Sequence, residues 1–212
     1  VEQRDRIFDA AFLQVFPPQL TLFEVGGKAD FLHVLVDGMV ELYTRNGKRE
    51  TSMAILRPVR SFILAAAYTD QPYLMSARTL TASRILLIPA PLLTDMIGKD
   101  CGLMRAAMAE LAEGVRHCVR TLTDMYRRQS VERLGHFLLL ESRARGGAVQ
   151  FDLPVEKRVL ASLLGMTPEN LSRAFGALSA HGVLVTGQVV QILDPAALSD
   201  FARPDAFYDD PN

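Results

Sequence analysis

Cysteine is scarce in this chain. Only Cys101 and Cys118 occur, which excludes a disulfide framework and leaves no close pair of the kind zinc or iron–sulfur sites use. An excess of charge of either sign is also missing. With 23 Lys+Arg against 24 Asp+Glu, the formal charge is -1, so no global basic field advertises nucleic acid, although a local basic surface stays open. Long apolar runs are absent as well. The longest charge-free stretch, Ala174 to Leu193, is broken by Ser179, His181, Thr186, Gln188 and Gln191 and carries Gly176, Gly182 and Gly187, which excludes a membrane span. The chain opens on Val1-Glu2-Gln3-Arg4-Asp5-Arg6, which is not a signal peptide, so a cytoplasmic protein is expected.

What is present suffices for a packed core. The 212 residues are 49% hydrophobic and 22% charged, the composition of one large or two modest domains. Residues 1–100 read as short strands between turns. Leu32 to Val36 and Met39 to Tyr43 are β-rich runs split by Asp37-Gly38. Asn46-Gly47 is a strong hairpin signal with Thr51 to Leu56 returning, and Thr79 to Ile88 reads as a further strand stopped by Pro89 and Pro91. This pattern predicts a small barrel, roll or sandwich.

After Pro91 the period changes. Met104, Met108, Leu111, Val115, Cys118, Leu122 and Met125 are spaced alternately four and three apart, a stripe of about three heptads. Such a stripe packs either on the chain's own barrel or on a second helix. Its narrowness over so long a helix favours a parallel homodimer. There Cys118 would face its symmetry mate within disulfide reach, or else act as a small buried hydrophobe.

From Ser130, the predicted N-cap of a helix Val131 to Ala144, a third segment begins. A short strand Val149–Leu153 follows, then helices Val155–Leu164 and Pro168–His181 separated by Gly165-Met166-Thr167. Thr167 is a good N-cap, Pro168 suits the first helical position and Gly182 suits termination. Val183–Val185 and Val189–Leu193, around Thr186-Gly187-Gln188, complete a winged helix-turn-helix.

On the second of those helices Leu171, Ala174, Phe175 and Leu178 form an inward stripe. Glu169, Ser172, Arg173 and Gly176 share the opposite face. An arginine fork can pair with guanine O6 and N7, a carboxylate can accept from cytosine N4, and a hydroxyl is adaptable. The same spacing equally allows a solvated face on which Glu169 and Arg173 pair with each other. Residues 127 to 173 hold eight basic and five acidic side chains, a modest surplus compatible with phosphate.

The order of parts resembles the Crp/Fnr family of bacterial transcription regulators: roll, long helix, winged helix-turn-helix. The stretch from Leu160 to Phe175 is similar to that family's recognition module, and Val34 to Leu42, with Asp37-Gly38-Met39-Val40, to its roll strand and glycine turn. The resemblance implies an α+β fold: a cyclic-nucleotide-binding-like β-roll sensor over 1–100, a dimerisation helix over 101–129 and a DNA-binding domain over 130–212. It implies a homodimer on palindromic double-stranded DNA, with RNA polymerase as a further partner. The expected DNA-binding residues are Thr167, Glu169, Asn170, Ser172 and Arg173. Glu169-x-x-Ser172-Arg173 resembles the Fnr-type reading pattern, which implies half-sites of TTGAT type.

Two departures bear on the effector. Ala65 stands about where cyclic-nucleotide binders carry a glutamate, and Met75-Ser76-Ala77 where they carry Arg-Ser-Ala, with Arg78 displaced by three positions. A phosphate would lose its charge-assisted bonds, so cyclic nucleotide is disfavoured. The cysteines do not lie in the N-terminal region where Fnr-type clusters are held. The remaining resemblance is to the nitric-oxide-responsive branch, whose sensor is haem, with an axial ligand from His33, His117, His136 or His181, a cysteine or a methionine. An effector pocket is expected around His33, Leu64, Ala65, Met75, Ser76 and Arg78, with no metal cluster.

Rival classes lack their parts. A cupin-type enzyme needs several histidines in the roll, which has one, and no nucleophile–base context is recognisable. A nucleotide-binding regulatory protein acting without DNA would have no use for the winged helix-turn-helix.

Overall fold

The computed structural model describes residues 10–47 and 49–209, with the side chains of 206 and 207 left aside. The charged start of the chain lies outside them. The chain divides into two compact units between Val115 and Arg116.

The first unit is a roll of two four-stranded antiparallel sheets. Strands β1 (Phe12–Phe16), β8 (Ser83–Pro89), β3 (Phe31–Asp37) and β6 (Arg60–Phe62) form one. Strands β2 (Thr21–Phe23), β7 (Ser76–Thr79), β4 (Val40–Asn46) and β5 (Arg49–Leu56) form the other. The expected hairpin is present, with Asn46 opposite Arg49. The expected single strand over Thr79 to Ile88 is two strands in different sheets. The Leu80 amide donates to Met39 O at 2.8 Å and the Thr79 hydroxyl to Pro17 O at 2.6 Å, so the chain leaves one sheet at Thr79 and enters the other at Ser83.

Alternation along the strands separates two cores. Leu35, Val40, Leu42, Leu56, Phe62, Ala77 and Ile85 fill the space between the sheets. Leu32, Ile88 and neighbours pack outward against α1 (Leu64–Thr69) and α2 (Ala90–Lys99) through Leu64, Ala67, Leu93 and Ile97.

The β3–β4 turn requires glycine. Gly38 has φ +96, and a Cβ there would lie 2.7 Å from Ser83 Cα and 2.5 Å from Ala82 O. Gly47 has φ +61 with open space around it. Gly38→Ala is therefore expected to cost on the order of 3 kcal/mol or more, from strain plus backbone displacement. Gly47→Ala, with strain alone, should cost about 1 kcal/mol. Urea titration of both variants checks the difference, and equal costs would contradict the packing argument.

Helix α3 (Cys101–Arg127) has no buried residue along 27 positions. In the second unit α4 (Ser130–Ala144), α5 (Lys157–Leu163), α6 (Pro168–Leu178) and α7 (Pro195–Ala202) surround a core that includes Leu134, Leu138, Leu160, Leu171, Leu178 and Leu198. Helix α4 passes so close to its neighbours that a Cβ on Gly135 would touch Leu198, Ala202 and Leu178 at 3.3–3.6 Å. The cap of α4 is Gln129 rather than the expected Ser130. Gln129 and Glu132 satisfy each other's backbone amides in a capping box, with the Gln129 amide 2.7 Å from Glu132 Oε2. Strands β10 (Val183–Thr186), β11 (Val189–Ile192) and β9 (Gln150–Asp152) make the wing, in that order. A short helix α8 (Ala206–Asp209) closes the described chain.

Candidate nucleic-acid interface and effector site

Helix α6 is fixed in three ways. The Asn170 amide donates to Thr167 Oγ1 at 3.2 Å, closing the predicted N-cap. Pro168 occupies the first turn, where its missing N–H costs nothing. Leu171, Ala174, Phe175 and Leu178 are buried as expected. The helix ends at Leu178, with a 3₁₀ turn over Ser179–His181 before Gly182 at φ +76.

Thr167, Glu169, Asn170, Ser172 and Arg173 are all exposed along the start of that helix. Arg173 does not spend itself on Glu169. Its guanidinium donates to Asn170 Oδ1, while the Glu169 carboxyl is held below the usual carboxylate range by its own backbone N–H, then by the Thr167 hydroxyl, with Arg173 a lesser influence. The face thus presents an ionised carboxylate, a hydroxyl and a guanidinium side by side. A groove of about 370 Å³ runs beside them, between α6 and the strand β10, lined by residues that include Lys157, Ser172, Phe175, Gly176 and Leu184. Lys157 Nζ sits 5.5 Å from the Phe175 ring centre.

The basic surplus over 127–173 is smaller at the surface than the count suggests. Arg127 and Arg128 pair with Asp205 and Asp209, Arg133 caps carbonyls, and Arg145 pairs with Glu141. Arg143, Lys157 and Arg158 are exposed and remain the candidates for phosphate.

Along α3 the expected stripe is open to solvent within one chain. Met108, Val115 and Leu122 are 63%, 65% and 57% exposed, Met104 and Cys118 are exposed, and Val119 and Tyr126 widen the stripe beyond the residues the spacing picked out. Two expected members have other contacts. Leu111, with Leu103 and Ala107, packs against the outer core of the roll, and the Met125 thioether lies over Gly165 in the helix-turn-helix turn. A heptad count ranks residues by angle alone and cannot detect a side chain leaning off the seam.

The six residues expected around an effector do not converge. His33 and Met75 lie on the inner side of the roll. Leu64 is buried in the other core, against α2, and Ala65 is exposed. Ser76 and Arg78 stand on the outer face of their strand, where the Ser76 hydroxyl accepts from the Val25 amide at 3.0 Å. Arg78 is consumed there: it donates to Glu41 at 2.6 Å and Glu50 at 2.8 Å and lies 4.5 Å over the Tyr43 ring. Neighbours in sequence along a strand point to opposite faces.

The inner space holds aromatic side chains that sequence reading missed. Phe23 stacks on Tyr73 at 3.9 Å, and His33 lies 5.1 Å from Phe23 and 5.2 Å from Phe62. Tyr73 is pinned by a backbone exchange with Gly26 and Gly27. Among the described residues of this set, His33 is the one side chain able to carry a positive charge. The His33 Nδ1 is buried without a partner, which alone would suit a ligand. Its ring, however, is packed between Phe23 and Phe62, so a haem would have to displace that aromatic packing. His117 is exposed, His181 stacks on Phe201 at 3.9 Å, and His136 stands between Asp124 and Asp209. The residues do not fit a haem in this arrangement. Among the described residues no group of three or more His, Cys, Asp or Glu is placed to hold a metal ion, and no helix is long and apolar enough to cross a membrane.

Burial pushes the His33 imidazole down to about 4, against a weaker opposing bond to the Phe31 backbone. The unfolded chain, titrating near 6.5, then binds more protons than the folded one between those values, so stability is present above pH 6.5 and is lost as pH falls toward 4. Wild type should lose up to about 3 kcal/mol relative to His33→Phe over that window. Denaturant titrations at pH 7 and 4.5 read it as a difference between the two proteins, which removes the contribution of other titrating groups.

A two-sheet roll preceding a long helix and a winged helix-turn-helix defines a regulator of the cyclic-nucleotide-binding-like class. Residues 13–100 match the model of the cyclic nucleotide-binding domain, and residues 132–201 match that of the Crp-like helix-turn-helix domain. The chain belongs to the Crp/Fnr family of transcription regulators. It is 26% identical over 186 residues to the anaerobic regulatory protein of Pasteurella multocida, covering 85% of this chain and 68% of that protein. A solved regulatory protein from Silicibacter pomeroyi DSS-3 is 30% identical, with a TM-score of 0.65 over 96% of this chain and 92% of its own. FixK2 from Bradyrhizobium japonicum, at 22% identity, shares the fold with a TM-score of 0.78 over 90% of this chain and 96% of its own.

Proposed function

We propose that this chain acts as a homodimeric, sequence-specific DNA-binding transcription regulator. In this reading residues 1–100 sense an effector, 101–129 carry the dimer seam and 130–212 bind DNA. The observation that carries it is the start of α6. There Glu169, Ser172 and Arg173 stand exposed side by side on a helix whose other face is locked into the core. Glu169 accepts from cytosine N4, Arg173 forks onto guanine and Ser172 adapts between them. Thr167 and Asn170 set the helix entry and the arginine's starting geometry.

The half-sites are of TTGAT type, and a two-fold dimer places their centres 34–36 Å apart. RNA polymerase is the further partner that this role brings. The effector is something other than a cyclic nucleotide, because the inner face of the roll offers Met75 and an aromatic set where a phosphate needs a cation. Fluorescence anisotropy on a duplex with two inverted TTGAT half-sites tests the reading. Changing the guanine of each half-site should weaken binding by about 5- to 150-fold per half-site at fixed salt. Equal affinity for both duplexes would refute it. In the same assay cyclic AMP should leave the affinity unchanged.

A further inference from the structure

The joint between α3 and α4 consists of Arg128 and Gln129 alone, a natural place for the chain to bend. Arg128 within the joint and Arg127 just before it are instead occupied by residues 202–209. Arg128, with its side chain 10% exposed, donates to the carbonyls of Ala202 at 3.3 Å and Arg203 at 3.2 Å. It also forks onto the carboxylate of Asp209, with Nη1 to Oδ1 at 3.2 Å and Nη2 to Oδ2, and reaches back to Asp124. The Asp209 carboxylate is 7% exposed and accepts from the Asp205 amide at 2.6 Å. Arg127 donates to Asp205 at 3.0 Å and lies 5.0 Å over the ring of Tyr208. His136, from α4, stands 3.6 Å from Asp124 and 3.5 Å from Asp209.

A second set of contacts secures the other side. Arg133 donates to Arg128 O at 2.6 Å and Leu164 O at 3.1 Å, tying the joint to the helix-turn-helix turn. A buried bidentate arginine–carboxylate pair strongly resists opening, because loss of one partner leaves the other charge uncompensated. Arg203, at φ +45, is where the chain doubles back to deliver these groups.

We propose that residues 203–209 form an intramolecular clasp that freezes the α3–α4 joint. The second half of α3, from Arg116 on, and the winged helix-turn-helix then move as one body. Amide hydrogen exchange on the whole 212-residue chain tests this, comparing wild type with Asp209→Asn, Arg128→Lys and the control Asp200→Asn. Both clasp variants should accelerate exchange at residues 127–133 by at least about tenfold, leave the α6 amides Leu171–Phe175 unchanged, and leave the control like wild type. Unchanged exchange at 127–133 in both variants overturns the clasp. Equal acceleration across α6 also overturns it, because residues 203–209 would then be ordinary packing.

Discussion

Replacing Arg173 with alanine should lower affinity for a palindromic operator by about 5- to 150-fold per half-site, the loss of one bidentate base contact of about 1–3 kcal/mol. The variant should also stop distinguishing the guanine it reads, so its affinities for wild-type and guanine-substituted operators converge. Folding is expected to be untouched, because Arg173 is exposed and its intramolecular bond is to Asn170. Anisotropy titrations at one stated salt concentration, with a random duplex as reference, separate this from phosphate binding. A loss equal on both duplexes would make Arg173 a backbone contact and remove it from base reading.

The second large effect is expected on assembly. Val115 and Leu122 are 65% and 57% exposed in one chain, and burial of such a side chain is worth about 1.5–3 kcal/mol. A seam uses each residue twice, so Leu122→Asp or Val115→Asp should weaken dimerisation by at least about a hundredfold. Operator affinity falls with it, because a monomer reaches one half-site. Ala106→Asp, on the exposed flank of the same helix, should leave the dimer intact. Sedimentation at several concentrations measures all three. A wild-type chain that sediments as a monomer throughout would contradict the seam.

The parts of this architecture that were legible in sequence are those carrying a local signal. Thr167-Pro168 announces the start of α6 because an N-cap hydroxyl and a proline at the first turn act within three residues. The α3 stripe is legible because its period repeats for several turns. What was not legible depends on partners far along the chain. Thr79 to Ile88 reads as one strand since nothing local marks the crossing between sheets, which is made by bonds from Thr79 and Leu80 to Pro17 and Met39.

Helix α1 is six residues long and enters through Ile63 in a left-handed conformation, too short for a period to show. The Asp194-Pro195 start of α7 did carry a signal, since Asp194 accepts from the Ala197 amide at 2.9 Å, and was missed. The effector residues failed for a plainer reason. Positions 75, 76 and 78 cannot all face one chamber when strand side chains alternate, and parity alone separates Met75 from Arg78. The aromatic set of Phe23, Phe62 and Tyr73 comes from two strands and the loop that precedes β7 and leaves no pattern in the linear chain.

The most direct test of the account is selection of bound duplexes from a random pool by the purified chain, followed by affinity measurement on the enriched sequence. Two inverted TTGAT-type half-sites with centres one helical turn apart are the expected product. A pool that remains unenriched, or that converges on a single unpaired site, would contradict it.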